Sequence, residues 1–174
     1  MLKLGAVVDY LQLVSLFQDK AKIDQSIFSH YFHVLLCTVM KRKLSLLIVD
    51  DNIHFVSRMI ALLREADSGC TIHTAHNYDE AFVLLDKKPD LAVLDIQLPG
   101  KNGMDLLKSI KRSTKDCEVV MLTNSTGEYY REQCRKLGAL RFFDKTNDFE
   151  LVPAMIKDFA IQNNNKTGVA PKNS

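Results

Sequence analysis

Three aspartates, one threonine and one lysine are the residues of this 174-residue chain whose types and spacing could do chemistry together. Asp50 and Asp51 are adjacent and close the apolar run Leu46-Leu47-Ile48-Val49, and Asp95 closes Leu91-Ala92-Val93-Leu94. Thr123 closes Val119-Val120-Met121-Leu122, and Lys145 follows Ala139-Leu140-Arg141-Phe142-Phe143 through Asp144. An apolar run of about four to eight residues stopped by a polar one reads as a strand buried on both faces. Open α/β sheets place their ligand crevices beyond the carboxyl ends of such strands. Parallel pairing would therefore gather three carboxylates, one hydroxyl and one ammonium on one edge. Two unit charges about 4 Å apart repel by about 4 kcal/mol at an effective dielectric of about 20, so three clustered carboxylates need counter-charge. Lys145 supplies only one. An all-oxygen site with few protein ligands suits Mg²⁺, which keeps several waters and accepts phosphate oxygens.

The elements that must position these residues alternate from residue 44 onward. Phe55, Met59, Leu62, Leu63 and Ala66 mark a first helix face, broken by Ser68-Gly69, and Cys70 to Ala75 reads as a short strand. Asn77 is a good N-cap with Glu80 three residues on, opening a helix whose buried face is Ala81, Phe82, Leu84 and Leu85 and which Pro89 stops. Leu98-Pro99-Gly100-Lys101-Asn102-Gly103 is a turn-rich loop before a helix carrying Met104, Leu106, Leu107 and Ile110. Tyr130, Cys134 and Leu137 can face the sheet from a fourth helix that Gly138 ends. A last helix is expected from Asp148 to Ile161, with Leu151, Val152, Met155, Ile156 and Phe159 on one side and Pro153 in its first turns. Five strands alternating with five helices argue for a doubly wound α/β domain with a parallel sheet.

Residues 1–43 differ in character and are expected to form an N-terminal, helical extension to a domain over 44–162, followed by a polar, disordered tail over 163–174. From Ile27 to Val39 the residues Phe28, Tyr31, Phe32, Leu35, Leu36 and Val39 fall at helical spacing, but the segment is short of the about 20 apolar residues of a membrane span. It is a poor signal peptide, because Lys41-Arg42-Lys43 follows the apolar part. The alternative is a helical cap or partner-binding hairpin. A hydrophobic share of 47%, a charged share of 25% and a net charge of +2 are ordinary for a soluble domain and give no argument for direct nucleic-acid binding. Cys37, Cys70, Cys117 and Cys134 form no Cys-x-x-Cys pair and read as reduced thiols of a cytoplasmic protein.

Taken together, the residues from 44 to 162 resemble the receiver domain of two-component response regulators. Asp50-Asp51 is similar to that family's acidic pair, Asp95 in Leu-Asp-Ile-Gln-Leu-Pro-Gly to its phosphoacceptor, and Thr123 and Lys145 to its switch hydroxyl and phosphate-binding lysine. The resemblance implies a five-stranded parallel sheet of flavodoxin-like order 2-1-3-4-5. It implies that Asp51 and Asp95 bind Mg²⁺ directly, Gln97 through its backbone carbonyl and Asp50 through water. Asp95 would then act as a carboxylate nucleophile toward a phosphoryl donor. Phe142 would be the aromatic switch. The implied partners are a sensor histidine kinase or histidine phosphotransfer protein. A downstream protein target would be met on the face of the fourth helix, fifth strand and fifth helix.

The expected role is thus a cytoplasmic, single-domain response regulator in a phosphorelay, which assists its own phosphorylation but turns over no external substrate. A phosphorylation-independent pseudo-receiver is the alternative. A haloacid-dehalogenase-like phosphohydrolase is disfavoured, because it needs Asp-x-Asp where this chain has adjacent aspartates. The chain departs from the family's pattern at Thr146, where a proline after a cis bond is usual, and at Asn124, where a small residue is usual. A cis bond before a non-proline residue costs about 2.5–4 kcal/mol, so either that strain is held or the loop takes another path. His30 with His33, His73 with His76, and the lone His54 read as surface or packing residues rather than ligands. Arg131, Arg135, Lys136 and Arg141 read as a solvated face.

Overall fold

The computed structural model describes residues 42–66, 69–114 and 116–167; the expected N-terminal helix falls outside them. Strands β1 (Leu44–Val49), β2 (Cys70–Ala75), β3 (Leu91–Leu94), β4 (Glu118–Thr123) and β5 (Arg141–Asp144) form one parallel sheet in the order β2-β1-β3-β4-β5. Helices α1 (Ile53–Glu65), α2 (Tyr78–Leu84), α3 (Gly103–Ser113), α4 (Glu128–Lys136) and α5 (Val152–Thr167) alternate with them. This is the doubly wound, flavodoxin-like arrangement. Among the described residues no helix is long and apolar enough to cross a membrane.

Side chains alternate across each strand, so one apolar run feeds two cores. Leu47, Val49, Ala92, Leu94 and Met121 pack with Ala81 of α2, Leu106, Leu107 and Ile110 of α3 and Cys134 of α4. Leu46, Ile48, Leu91, Val93, Val120 and Leu122 pack with Val56, Met59 and Leu63 of α1 and with Val152, Ile156 and Ala160 of α5. Burying both faces explains why β1, β3 and β4 are near-continuously apolar, whereas the edge strands β2 and β5 carry polar residues.

Helices start promptly after the strands because asparagines cap them. The Asn52, Asn77 and Asn102 side chains accept from the amides of Phe55, Glu80 and Asp105 at 3.0, 2.9 and 3.0 Å. Glu80 reaches back over the cap, accepting from the His76 amide at 2.7 Å and from Asn77 Nδ2 at 2.8 Å. Arg42 ion-pairs with Asp90, whose carboxylate also accepts from the Ser45 amide, so the chain is tied to the domain just ahead of β1.

Several boundaries differ from the sequence expectation. Phe82 is 51% exposed and stacks on Tyr78, because the short α2 presents only Ala81 fully to the core. Tyr130 lies edge-on to Tyr129 at the surface, and Cys134 is the one buried residue of α4. Ala139 and Leu140 belong to the turn before β5, their amides bonded to Cys134 and Val119 carbonyls. Phe149–Leu151 forms a separate 3-10 turn ahead of α5, which takes Leu151 out of the helical phase and leaves it 56% exposed. The last helix continues to Thr167 instead of ending at Ile161. No glycine or proline separates Pro153 from Gly168, so nothing in the sequence stops it earlier.

Candidate functional site

The parallel register brings the polar strand ends to one edge. Asp50 and Asp51 follow β1, Asp95 follows β3, Thr123 ends β4 and Lys145 follows β5. Asp50 and Asp95 are 2% and 6% exposed, whereas Asp51 is open to solvent. Lys145 Nζ lies 2.6 Å from Asp50 Oδ2 and 2.6 Å from Asp95 Oδ2. One ammonium therefore bridges two buried carboxylates. Oxygens of Asp50, Asp51 and Asp95 lie within 4.8 Å of one another, an all-oxygen donor set with more negative charge than Lys145 offsets. That set fits a hard divalent cation such as Mg²⁺.

Backbone amides hold the remaining oxygens. Asp50 Oδ1 accepts from the Asn52 amide at 3.0 Å, and Asp95 Oδ1 from the Gln97 amide at 3.3 Å. Burial pushes the Asp50 carboxyl above its ordinary range, a push that Lys145 and the Asn52 amide oppose and the Asp95 charge reinforces. Thr123 is fully buried, its hydroxyl accepting from the Ser125 amide at 3.2 Å and its carbonyl from the Lys145 amide at 3.1 Å. The latter bond joins the lysine's backbone to the end of the neighbouring strand. The described residues contain no cis peptide bond, so the loop at Thr146 takes a trans path and Lys145 still reaches both aspartates.

Phe142 is partly buried against the α2–α3–α4 side of the sheet, with Arg131 4.6 Å above its ring, while Phe143 packs on the opposite side. The two adjacent phenylalanines are thus divided by the pleat, and Phe142 is the one beside α4. His54 is exposed, as a surface residue at a helix start should be. His73 and His76 join no metal-type cluster among the described residues.

Four contributors escaped the sequence reading. The Phe55 ring lies 4.6 Å from Lys145 Nζ and packs on Phe149, giving the ammonium an aromatic wall. His76 Nδ1 is 3.0 Å from the Asp50 carbonyl oxygen and fixes the turn at the acidic pair. Gly103 starts α3 directly against the loop after β3, where a Cβ would stand 1.8 Å from the Asp95 carbonyl oxygen. Asp144 accepts from the Thr146 amide at 2.8 Å. Only Gly103 had a sequence signal, and it was indistinguishable from an ordinary turn glycine.

Known proteins share this fold. The model of the response regulator receiver domain matches residues 46–157. The transcriptional regulatory protein CpxR of Escherichia coli K12 is 39% identical over 108 residues, which cover 62% of this chain and 45% of that protein. The sensory transduction protein LytT of Bacillus subtilis is 31% identical over 117 residues, 67% of this chain and 48% of that one. The chain thus spans less than half the length of these curated relatives. The signal receiver domain of a DNA-binding response regulator from Colwellia psychrerythraea 34H superposes with a TM-score of 0.65 at 28% identity, covering 69% of this chain and all of that one. A CheY-like receiver domain from Methanospirillum hungatei, at 20% identity and a TM-score of 0.64, shares the fold and covers 72% of this chain and 99% of its own. Receiver domains generally bind Mg²⁺ in an acidic pocket and interact with histidine kinases or phosphotransfer proteins. The matched region contains the whole sheet edge from Asp50 to Lys145, and the chain belongs to the response regulator receiver domain family.

Proposed function

We propose that this chain is a phosphorylatable switch: Asp95 accepts a phosphoryl group from a histidine kinase or histidine phosphotransfer protein, and the modified domain changes its affinity for a protein partner. The observation that carries this reading is Lys145 bridging Asp50 and Asp95 at 2.6 Å each, with Asp51 in the same oxygen cluster. A carboxylate oxygen of Asp95 forms the new O–P bond as the donor's P–N bond breaks, and the departing imidazole takes the electron pair and a solvent proton. Lys145 then offsets charge on the transferred group from a site already walled by Phe55. Asp51, Asp95 and the Gln97 carbonyl would hold Mg²⁺, with Asp50 acting through water. The ion supplies positive charge for the phosphoryl oxygens, where electrostatics does most of the catalytic work. The chain modifies itself and does not turn over an external substrate, and this reading makes it a cytoplasmic partner of the donor.

Readout is assigned to the face of α4, β5 and α5. Thr123 ends β4, and its hydroxyl can turn toward a phosphate on Asp95; Phe142 on β5 is placed to move into the space behind it. A groove of about 590 Å³ beside Phe142 is lined by Glu128, Arg131, Arg135, Leu140 and Arg141. A partner must bind the same state that phosphorylation favours, since a ligand shifts an equilibrium only by its differential affinity. The test is intact mass after incubation with acetyl phosphate and Mg²⁺. One added phosphate, lost in chelator, is expected. No gain under any condition would contradict the switch and favour a phosphorylation-independent docking module.

A further inference from the structure

We infer that Asp144, closed into a ring with Asp148, is the positioning residue for Lys145, fixing the backbone from which the ammonium is aimed at Asp50 and Asp95. This deepens the reading of Asp95 as phosphoacceptor and rests on it. Asp144 uses every polar group it has within five residues. Its Oδ1 accepts from the Thr146 amide at 2.8 Å and its Oδ2 from Asn147 Nδ2 at 2.6 Å. Its own amide donates to Asp148 Oδ2 at 3.0 Å, and its carbonyl accepts from the Asp148 amide at 2.8 Å. Lys145 sits inside this ring, with its own amide tied to the Thr123 carbonyl at 3.1 Å. The peptide units on both sides of the lysine are therefore held, one by the neighbouring strand and one by the Asp144 carboxylate.

The residue that departs from the family's pattern is the one the device uses. A proline at position 146 would carry no amide proton, whereas Thr146 has one and gives it to Asp144. The Thr146 amide is the leading reason that the Asp144 carboxyl lies below its ordinary range, followed in effect by the Asn147 side chain and amide and by the Arg131 charge. A long, flexible lysine stem has several rotamers to lose, so a fixed base matters for an ammonium that must meet two carboxylates at once.

The test is a cycle of four proteins: unaltered, Asp144→Ala, Lys145→Ala and the double variant. Each is read by Mg²⁺ titration and by the rate of phosphate gain from acetyl phosphate. With Lys145 misaimed, Asp144→Ala should slow phosphorylation by about tenfold, a modest share of what a misplaced group can cost. It should also tighten Mg²⁺ binding by about threefold, because an opposing cation no longer holds the carboxylates. Loss of a negative charge alone would weaken Mg²⁺ binding, so the direction separates the two causes. In the Lys145→Ala background both effects should vanish to within about twofold. Asp144→Asn, which keeps an oxygen for the Thr146 amide, should restore most of the rate.

Equal effects in both backgrounds, weaker Mg²⁺ binding, or no effect in the protein that has Lys145 would each overturn the inference. If Asp144→Ala does not fold, Asn147→Ala removes one contact of the ring, with an expected slowing of about two- to threefold and the same cancellation. Failure of the unaltered protein to gain phosphate would remove the phosphoacceptor reading, and the Mg²⁺ arm of the cycle would then decide the positioning role by itself.

Discussion

From Leu46 to Val49, β1 gives each side chain to one of two apolar cores, whereas the next position, Asp50, is an equally buried acid that shares Lys145 with Asp95. Five consecutive residues thus contain both regimes. In the interior, burial of apolar surface contributes stability in proportion to area. At the carboxyl edge, burial desolvates charge and brings like charges together, and the Asp50 carboxyl is pushed up as a result. The edge is held because the interior can bear it, a common relation between functional sites and the scaffolds beneath them.

Substitutions on the two sides should differ in sign. Leu47→Ala removes a fully buried side chain and should cost about 2–5 kcal/mol in urea unfolding. Equal stability would mean that the sheet does not carry the fold. Gly103→Ala lies where the two regimes meet, its Cβ directed at the Asp95 backbone 1.8 Å away. Overpacking of this kind costs about 1–3 kcal/mol, and because the obstacle is backbone we expect the upper end, with slower phosphorylation as α3 and the Asp95 loop separate.

Asp50→Asn should act in the opposite sense. In chelator at neutral pH it should leave the protein at least as stable, with a gain of up to about 2 kcal/mol. A carboxyl whose folded pKa is raised binds more protons folded than unfolded, so its contribution is most favourable below the ordinary value of 3.8 and is lost as pH rises through the folded value. The advantage of Asp50→Asn should therefore disappear in acid. Mg²⁺ should reverse the comparison by stabilising the unaltered protein, by about 2.7 kcal/mol at a hundred times Kd. A melting temperature indifferent to millimolar Mg²⁺ would leave the acidic edge without its counter-ion. The smallest effect concerns Cys117, which burial pushes up to about 12. At pH 8 it should resist alkylation in the folded protein and react on unfolding; rapid labelling of the native chain would show that the α3–β4 end of the core opens.

Much of this contrast is legible in the sequence because apolar runs with a terminal carboxylate encode both halves at once. Strand order, the acidic pair, Asp95, Thr123 and Lys145 follow from run length, run ending and family resemblance. What is not legible depends on distances across the fold. Phe55 looks like any helix-face aromatic until its ring is found beside Lys145. Gly103 looks like a turn glycine until the Asp95 carbonyl is found against it. Phe82 and Leu151 fit a helical period, yet a seven-residue helix and an intervening 3-10 turn shift them to the surface. Periodicity reports the phase of an ideal helix, and short elements do not keep it long enough to matter.

The central claim is that, of three carboxylates within 4.8 Å of one another, Asp95 is the one modified. Peptide mass mapping after treatment with acetyl phosphate and Mg²⁺ tests it most directly, with borohydride reduction converting the aspartyl phosphate to homoserine as phosphate leaves and so marking the modified position. The account predicts the modification on Asp95, with none on Asp50 or Asp51, and its disappearance in Asp95→Asn. Homoserine in place of either member of the acidic pair in the unaltered protein, or an undiminished phosphate gain before reduction in Asp95→Asn, would contradict it.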